Sequence, residues 1–467
     1  MRPVCKSDPH GVARHDKLNK SMQLVTLGGQ PSPPPREETR EGNYFVSNYP
    51  PFSFWKPELA GESHAVLDRP PAPNTPLGLY VHIPFCRKRC HFCYFKVYTG
   101  KSSSEIEDYL DAVRKELSLY AAKPVIGGRK PRFIYFGGGT PSYLSTRQLT
   151  GLTDALKAAL PWDEAQEVTF ECEPGTLTEG KLEFLRAMGV TRLSLGIENY
   201  NDDILRANGR AHVSKEIDRA YSFARSVGFP QINIDLIAGM VGETEENWRE
   251  TVRRAVEAEP DSVTIYQMEV PFNTTISKEM RINGAEVAPV AEWPVKRAWT
   301  SYAFDQFAAA GYTVTSAYTA VRDTSKTHFV YRNKLWAGAD MLGLGVASFS
   351  HVSGVHYQNE HQMEGYAERL SRGELPIFRA LTPAPLERFV REFILQLKLG
   401  SIQRRYFIEK YAIDPAEQFA SELASLQAQH FLSVDDAGVH LTRQGLLQVD
   451  RLLHQFFLPE HRNARYA

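Results

Sequence analysis

From residue 77 onward the chain alternates six short β-like runs with amphipathic segments, and this alternation limits the possible fold more than any other feature. The runs cover 79–83, 132–136, 168–172, 192–195, 232–237 and 263–268. One helical pattern starts at Ser104, where Ser104 and Glu107 make a capping box. Its apolar residues Ile106, Tyr109, Leu110, Val113 and Leu117 fall on one face. Further helical patterns occupy 146–160, 178–188, 214–227 and 244–258. Strand–helix alternation at this spacing implies parallel βα units. Six in succession predict an α/β fold, a barrel or partial barrel, with its chemistry at the C-terminal ends of the strands.

Strand parity gives that barrel a polar interior. Leu193, Leu195 and Ile197 point one way, and Ser194, Gly196 and Glu198 the other. Asn233 and Asp235 share a face, as do Thr169, Glu171 and Glu173. Acidic side chains on one face of buried strands are costly unless they bind something. The other reading is that this face is simply solvated.

The flanks differ in character. Residues 1–43 are polar and Pro-rich and are expected to be disordered. Residues 44–76 open with an aromatic arm, Tyr44 to Trp55, expected to lie on the body at 77–380. In the tail, 381–467, a stripe of Phe389, Val390, Phe393, Ile394 and Leu397 ends at Gly400. A helix near 416–430, a hairpin at 431–441 and a last helix capped by Thr442 complete a winged-helix-like module. Such a module binds DNA or packs as a lid. Lys plus Arg numbers 54 against 55 Asp plus Glu, which favours packing and argues against a nucleic-acid partner. The composition, 42% hydrophobic and 23% charged, excludes a mostly disordered, collagen-like or coiled-coil chain. No apolar run reaches the ~18 residues of a membrane span, and the N-terminus lacks the apolar core of a signal peptide.

Of five cysteines, Cys86, Cys90 and Cys93 stand within eight residues, directly after the first strand. An odd, clustered set does not suit a disulfide framework, so a reducing cytoplasm is the simpler setting. Thiolates are soft ligands for zinc or iron–sulfur clusters. Structural zinc needs a fourth ligand; His91 is the nearest candidate, though cramped inside the loop. Three cysteines on one short loop suit a [4Fe–4S] cluster with one iron left open.

This C-x3-C-x2-C loop resembles the signature of the radical S-adenosylmethionine (SAM) enzymes. YVHIPFC from Tyr80, GGGTPS from Gly137, ECEP from Glu171, RLSLGIE from Arg192, NGR from Asn208, NIDLIAG from Asn233, GLGVASFS from Gly343 and YQN from Tyr357 are similar to one subgroup. That subgroup is the oxygen-independent coproporphyrinogen III oxidases and their relatives, whose arm and tail this chain also resembles. The resemblance implies a partial (β/α)6-type barrel in which Cys86, Cys90 and Cys93 hold a [4Fe–4S] cluster and the amino and carboxylate groups of SAM chelate the open iron. It further implies a backbone shelf at Gly138, Gly139 and Thr140 for the amino group. Glu171 and Asp235 would bind polar groups of SAM, Arg210 its carboxylate, and Tyr80 and Phe92 would contact the cofactor. Met268 and Phe349 match positions near a second SAM site, or serve the core.

Three departures bear on the substrate. Phe95 stands where the oxidases carry a further cysteine, Glu198 stands at a cofactor-binding position where they have glutamine, and 266–271 differs from their version. The implied activity is reductive cleavage of SAM to a 5′-deoxyadenosyl radical that abstracts hydrogen. Decarboxylation of coproporphyrinogen III in porphyrin biosynthesis is the first choice, a two-SAM radical methyltransferase nearly as close, and a haem-chaperone-like binding protein a third. Expected partners are a small-molecule substrate and an electron donor such as flavodoxin or ferredoxin, with no membrane. Arg87, Lys88, Arg89 and Lys96 around the cluster loop would either meet propionates or be solvated surface charges.

Overall fold

The computed structural model describes residues 44–284, 288–462 and 464; the disorder expected of 1–43 lies outside them. The six strands are β1 (Leu77–Ile83), β2 (Phe133–Gly138), β3 (Glu167–Cys172), β4 (Arg192–Glu198), β5 (Gln231–Ala238) and β6 (Ser262–Gln267). They pair in parallel and in chain order. Short antiparallel strands β7 (Thr313–Val314) and β8 (Thr319–Val321) extend the sheet beyond β6. On the other side β9 (Asp340–Leu344) pairs in parallel with β1 and leads to antiparallel β10 (Phe349–Val352), β11 (Val355–Asn359) and β12 (Ile377–Leu381). β12 and β7 are the two ends of this twelve-stranded order, so the barrel is partial.

The outward parity set packs under the helices. Val81, Phe136, Phe170, Leu195, Ile234 and Ile265 are buried in one apolar core. The intervening residues therefore face inward, and the polar ones among them line the interior. Helix caps fix where each crossover turns. Ser145 with Gln148 and Ser102 with Glu105 form capping boxes. The second corrects the start predicted at Ser104: Ser102 is still extended, and capping there starts the helix two residues earlier and lets Glu105 pair with Lys101 at 2.7 Å.

The arm lies on the sheet edge and the tail. Lys56 and Ala380 exchange backbone hydrogen bonds of 3.0 and 3.1 Å, and Val46 and Tyr49 are buried in the core of the tail. There Pro385–Leu397 packs beside a three-stranded sheet, in which β13 (Ser401–Gln403) and β14 (Leu432–Val434) flank β15 (Gly438–Leu441). The helix predicted over 416–430 is two, Pro415–Gln418 and Ala420–Ala428. The break at Phe419 sends its ring to Phe393 and Phe456, at 4.8 and 5.0 Å. The last helix is also interrupted, between Arg443–Leu446 and Val449–Leu453, which turns Val449, Leu452 and Leu453 into the same core.

Arm, body and tail meet at the fully buried Lys398. Its ammonium donates to the Val46 carbonyl at 2.8 Å, pairs with Asp450 at 2.9 Å and sits 3.4 Å from the ring centre of Phe45. Asp450 in turn accepts from the Val46 N–H and from the Tyr318 hydroxyl. Lys398→Met leaves a buried carboxylate without its counter-charge. It should cost about 3–5 kcal/mol, measured by urea unfolding of the apo protein, and the double variant with Asp450→Asn should recover part of the loss.

Candidate functional site

The inward parity set opens a cavity of about 530 Å³ that runs from the cysteine loop into the barrel and on toward the arm. Every strand from β1 to β6 contributes: Tyr80, Tyr135, Glu171, Ser194, Asp235 and Thr264 all line it. Gly139, Thr140, Glu198, Arg210, Phe92 and Met268, all singled out in the sequence, join them. Phe349 does not. Its ring packs on Phe52 and Trp55 of the arm, at 4.5 and 5.5 Å.

The carboxyl groups dominate the electrostatics. Glu171 accepts from the Tyr135 hydroxyl at 2.6 Å and the Gly138 N–H at 3.1 Å. Burial, helped by the charge of Asp235, still pushes it up to about 7. Burial likewise pushes Glu198 up to about 7, although Arg210 lies 3.5 Å away. Asp235 is raised by burial as well, despite donors from Ser194 and Asn233 at 2.9 Å each. An interior with several desolvated carboxyls suits a ligand that brings positive charge or hydrogen-bond donors.

The turn after β2 is built for close approach. Gly138 has φ +114°, and a Cβ on it would lie 2.5 Å from the His82 ring. A Cβ on Gly139 would come within 2.9 Å of the Ile83 and Phe85 carbonyl oxygens. The N–H groups of Gly138, Gly139 and Thr140 are all used internally, on Glu171, Ile83 and Phe85. The turn can therefore offer carbonyl oxygens, the groups an ammonium requires.

The loop carries its three thiols free and partly exposed. Thr140 donates toward Cys86 Sγ at 3.4 Å and Arg210 toward Cys90 Sγ at 3.3 Å. Hydrogen bonds to sulfur of this kind tune cluster ligands. Burial pushes Cys86 up to about 11 and Cys93 up to about 12, so metal ligation there is coupled to proton release. His91 is tied to segment 207–209. Its Nδ1 is 3.1 Å from the Ala207 carbonyl and its ring packs over Gly209. The donor chemistry, three soft thiols on one short loop, suits an iron–sulfur cluster.

The basic residues around the loop are mostly engaged. Arg87 is paired with Glu173 at 2.5 Å, Arg89 donates to the Cys93 carbonyl and Lys96 to Gln362. Burial opposes ionisation of Glu173, but hydrogen bonds from His212 and Arg87 outweigh it and bring the group down to about 2. The cations that line the cavity are others. Arg192 stacks on Phe329 at 4.1 Å, and Arg332 bonds Ser316 and Thr319. Arg192 shares the parity of Ser194, which could have flagged it; Arg332 sits on Val330–Trp336, a helix too short to read from the sequence. Glu269 was missed too. It lines the cavity, accepts from the Phe45 N–H at 2.6 Å, and is pushed by burial up to about 8. Tyr94 and Phe95 stand in the wall with rings 4.6 Å apart.

Residues 80–255 match the profile of the radical SAM superfamily. The chain is 27% identical over 370 residues to the haem chaperone HemW of Bacillus subtilis, covering 79% of this chain and 96% of that protein. It is 26% identical over 392 residues to the oxygen-independent coproporphyrinogen III oxidase of Escherichia coli, covering 81% and 84%. The crystal structure of that Escherichia coli oxidase superposes with a TM-score of 0.76 at 24% identity, over 88% of this chain and 96% of the other, and so shows the same fold.

Glu171 has a folded-state pKa near 7 against an ordinary 4.5. The folded protein therefore holds a proton that the unfolded chain releases, and stability falls as pH rises between those values. Glu171→Gln should make the apo protein more stable than wild type at pH 8 by about 1–3 kcal/mol, with little difference at pH 4.5, as read from urea unfolding at the two pH values.

Proposed function

We infer that this chain, which carries a radical SAM domain over residues 80–255, is a radical SAM oxidoreductase acting on a tetrapyrrole, with oxidative decarboxylation of coproporphyrinogen III as its reaction. The observation that carries this reading is the continuity of one cavity from the cysteine loop to an aromatic wall holding two arginines, Arg192 and Arg332. Propionate groups need cationic partners, and rings need flat apolar surfaces. Similarity to a coproporphyrinogen oxidase along most of both chains supports it.

Cys86, Cys90 and Cys93 would hold the [4Fe–4S] cluster, and the carbonyls at 138–140 with Glu171, Asp235, Glu198 and Arg210 would hold SAM. Bound there, cluster and SAM supply one-electron cleavage to methionine and a 5′-deoxyadenosyl radical that takes hydrogen from a substrate C–H bond. The chain's own work is placement and shielding. Glu171 and Asp235 offer acceptors and negative charge to the polar and cationic parts of SAM. Arg210 offers a guanidinium for a carboxylate while it donates to Cys90. Tyr80, Tyr135 and Phe92 wall off water, which a reactive radical requires. The electron would come from a flavodoxin or ferredoxin, and the setting would be the cytoplasm; among the described residues no helix is long and apolar enough to cross a membrane.

A two-SAM methyltransferase is the second reading, favoured by Phe95 and Glu198, which replace the oxidases' cysteine and glutamine inside this cavity. A haem-binding role is the third, favoured by the likeness to HemW over nearly all of that protein.

Anaerobically reconstituted protein should hold about four iron and four sulfide, and Cys86→Ala, Cys90→Ala or Cys93→Ala should each abolish the cluster. Zinc in place of iron would refute the assignment. Formation of 5′-deoxyadenosine from SAM and dithionite should fall tenfold or more in Glu171→Gln and in Asp235→Asn, the loss of a charged hydrogen bond. With SAM deuterated at its methyl group, the oxidase releases carbon dioxide from coproporphyrinogen III and moves no label. Deuterium in 5′-deoxyadenosine without carbon dioxide would establish the methyltransferase instead, and stoichiometric haem binding with little SAM cleavage the haem-binding role.

A further inference from the structure

The cysteine loop is docked onto segment 207–212 at two separate points, beside single contacts from Thr140 to Cys86 Sγ and from the Ile276 N–H to the His91 carbonyl. At the first, Arg87 donates to both oxygens of Glu173, Nε to Oε2 at 3.1 Å and a terminal nitrogen to Oε1 at 2.5 Å. The same terminal nitrogen donates to the Ala211 carbonyl at 2.8 Å. At the second, the His91 N–H donates to the Asn208 carbonyl at 3.0 Å, and its ring fills the space over Gly209, where a Cβ would come within 2.6 Å of it. Between the two points Arg210 reaches back to Cys90 Sγ at 3.3 Å and to the Gly196 carbonyl at 2.6 Å.

Glu173 is the hub of the first point. It is buried just past the end of β3, and it lies 3.3 Å from Nδ1 of His212, whose Nε2 is 3.2 Å from the Ile197 carbonyl. The guanidinium it grips lies close over Gly175; a Cβ there would be 2.0 Å from the Arg87 nitrogen and would push the guanidinium aside. A two-pronged arginine–carboxylate pair fixes direction as well as distance. An exposed pair would do little for stability or order, but this carboxylate is enclosed and ties three chain segments together.

We propose that Glu173, acting through Arg87, is a positioning residue that locks the cysteine loop to segment 207–212, so that the thiols and the Arg210 guanidinium form one preset unit. This deepens the reading of Cys86, Cys90 and Cys93 as cluster ligands and of Arg210 as the partner of the SAM carboxylate, and it rests on that reading. Supporting contacts of this kind orient ligands that would otherwise wander.

The test uses Glu173→Gln, Arg87→Lys and Gly209→Ala in the full chain. Arg87→Lys keeps the charge and loses the fork; Gly209→Ala attacks the second docking point without touching Glu173. Two readouts are taken: amide hydrogen exchange across 86–93 in the apo protein, and SAM titration of the dithionite-reduced, reconstituted protein followed by electron paramagnetic resonance. Glu173→Gln and Arg87→Lys should each speed loop exchange at least tenfold while exchange in β1–β6 stays as in wild type. Both should raise the SAM concentration needed for the spectral change at least tenfold, with iron content retained. Gly209→Ala should reproduce both effects. Wild-type loop exchange and wild-type SAM response in folded Glu173→Gln and Arg87→Lys would overturn the proposal; if those two fail to fold, the same result in Glu173→Asp, whose shorter side chain breaks the fork, would overturn it. If wild type takes up no cluster, the ligand assignment fails by itself, and the exchange data still decide whether the lock exists.

Discussion

Desolvation of acidic side chains inside the barrel is the constraint to which the rest of the structure answers. Glu171 and Asp235 cannot be turned outward without turning the apolar residues of the same strands inward, because parity ties the two sets together, while Glu198 follows a bulge in β4 that re-aims it. Their charge is met by Arg210 close to the thiols and by Arg192 deeper in, and their lone pairs by Tyr135, Ser194, Asn233 and the Gly138 N–H. What stays is a group of desolvated carboxyls, raised above their ordinary range, within a space open to a ligand. A protein selected for stability alone would have filled that space with apolar side chains. This one keeps it polar beside three thiols, so its marginal stability and its binding capacity draw on the same groups.

The sequence showed the strands and their inward faces because both depend on local patterns. Periodicity of two separates Leu193 from Ser194 whatever the tertiary context, and a cysteine trio after a strand has few other meanings. The helix caps were legible to within a turn; Ser102 and Ser104 both head a Ser-x-x-Glu sequence, and only the backbone path chooses between them. What could not be read depends on distant packing. The break at Phe419 follows from an aromatic cluster assembled from four stretches of the tail, with Phe389, Phe393, Phe407 and Phe456. Arg332 and Glu269 reach the cavity from a short helix and a loop with no periodicity to announce them. The basic residues of the cysteine loop could be read as partners for propionates or as solvated surface charges; in the structure Arg87 and Arg89 fasten the loop itself and Lys96 bonds Gln362. Phe349, which resemblance put near a second cofactor or in the core, is the surface on which the arm's Phe52 and Trp55 rest.

The arm and the tail are one structural object although they come from opposite ends of the chain. Val46 touches both partners of the buried Lys398–Asp450 pair, and its neighbour Phe45 is at once the ring under the ammonium and part of the cavity wall. That joint has a consequence for the order in which the protein is made. Segments near residue 46 cannot take up these contacts until residue 450 has left the ribosome, whereas β1 to β6 and the cysteine loop are available once residue 267 has emerged. The arm-side wall of the cavity therefore cannot be complete before the last stretch of chain is in place.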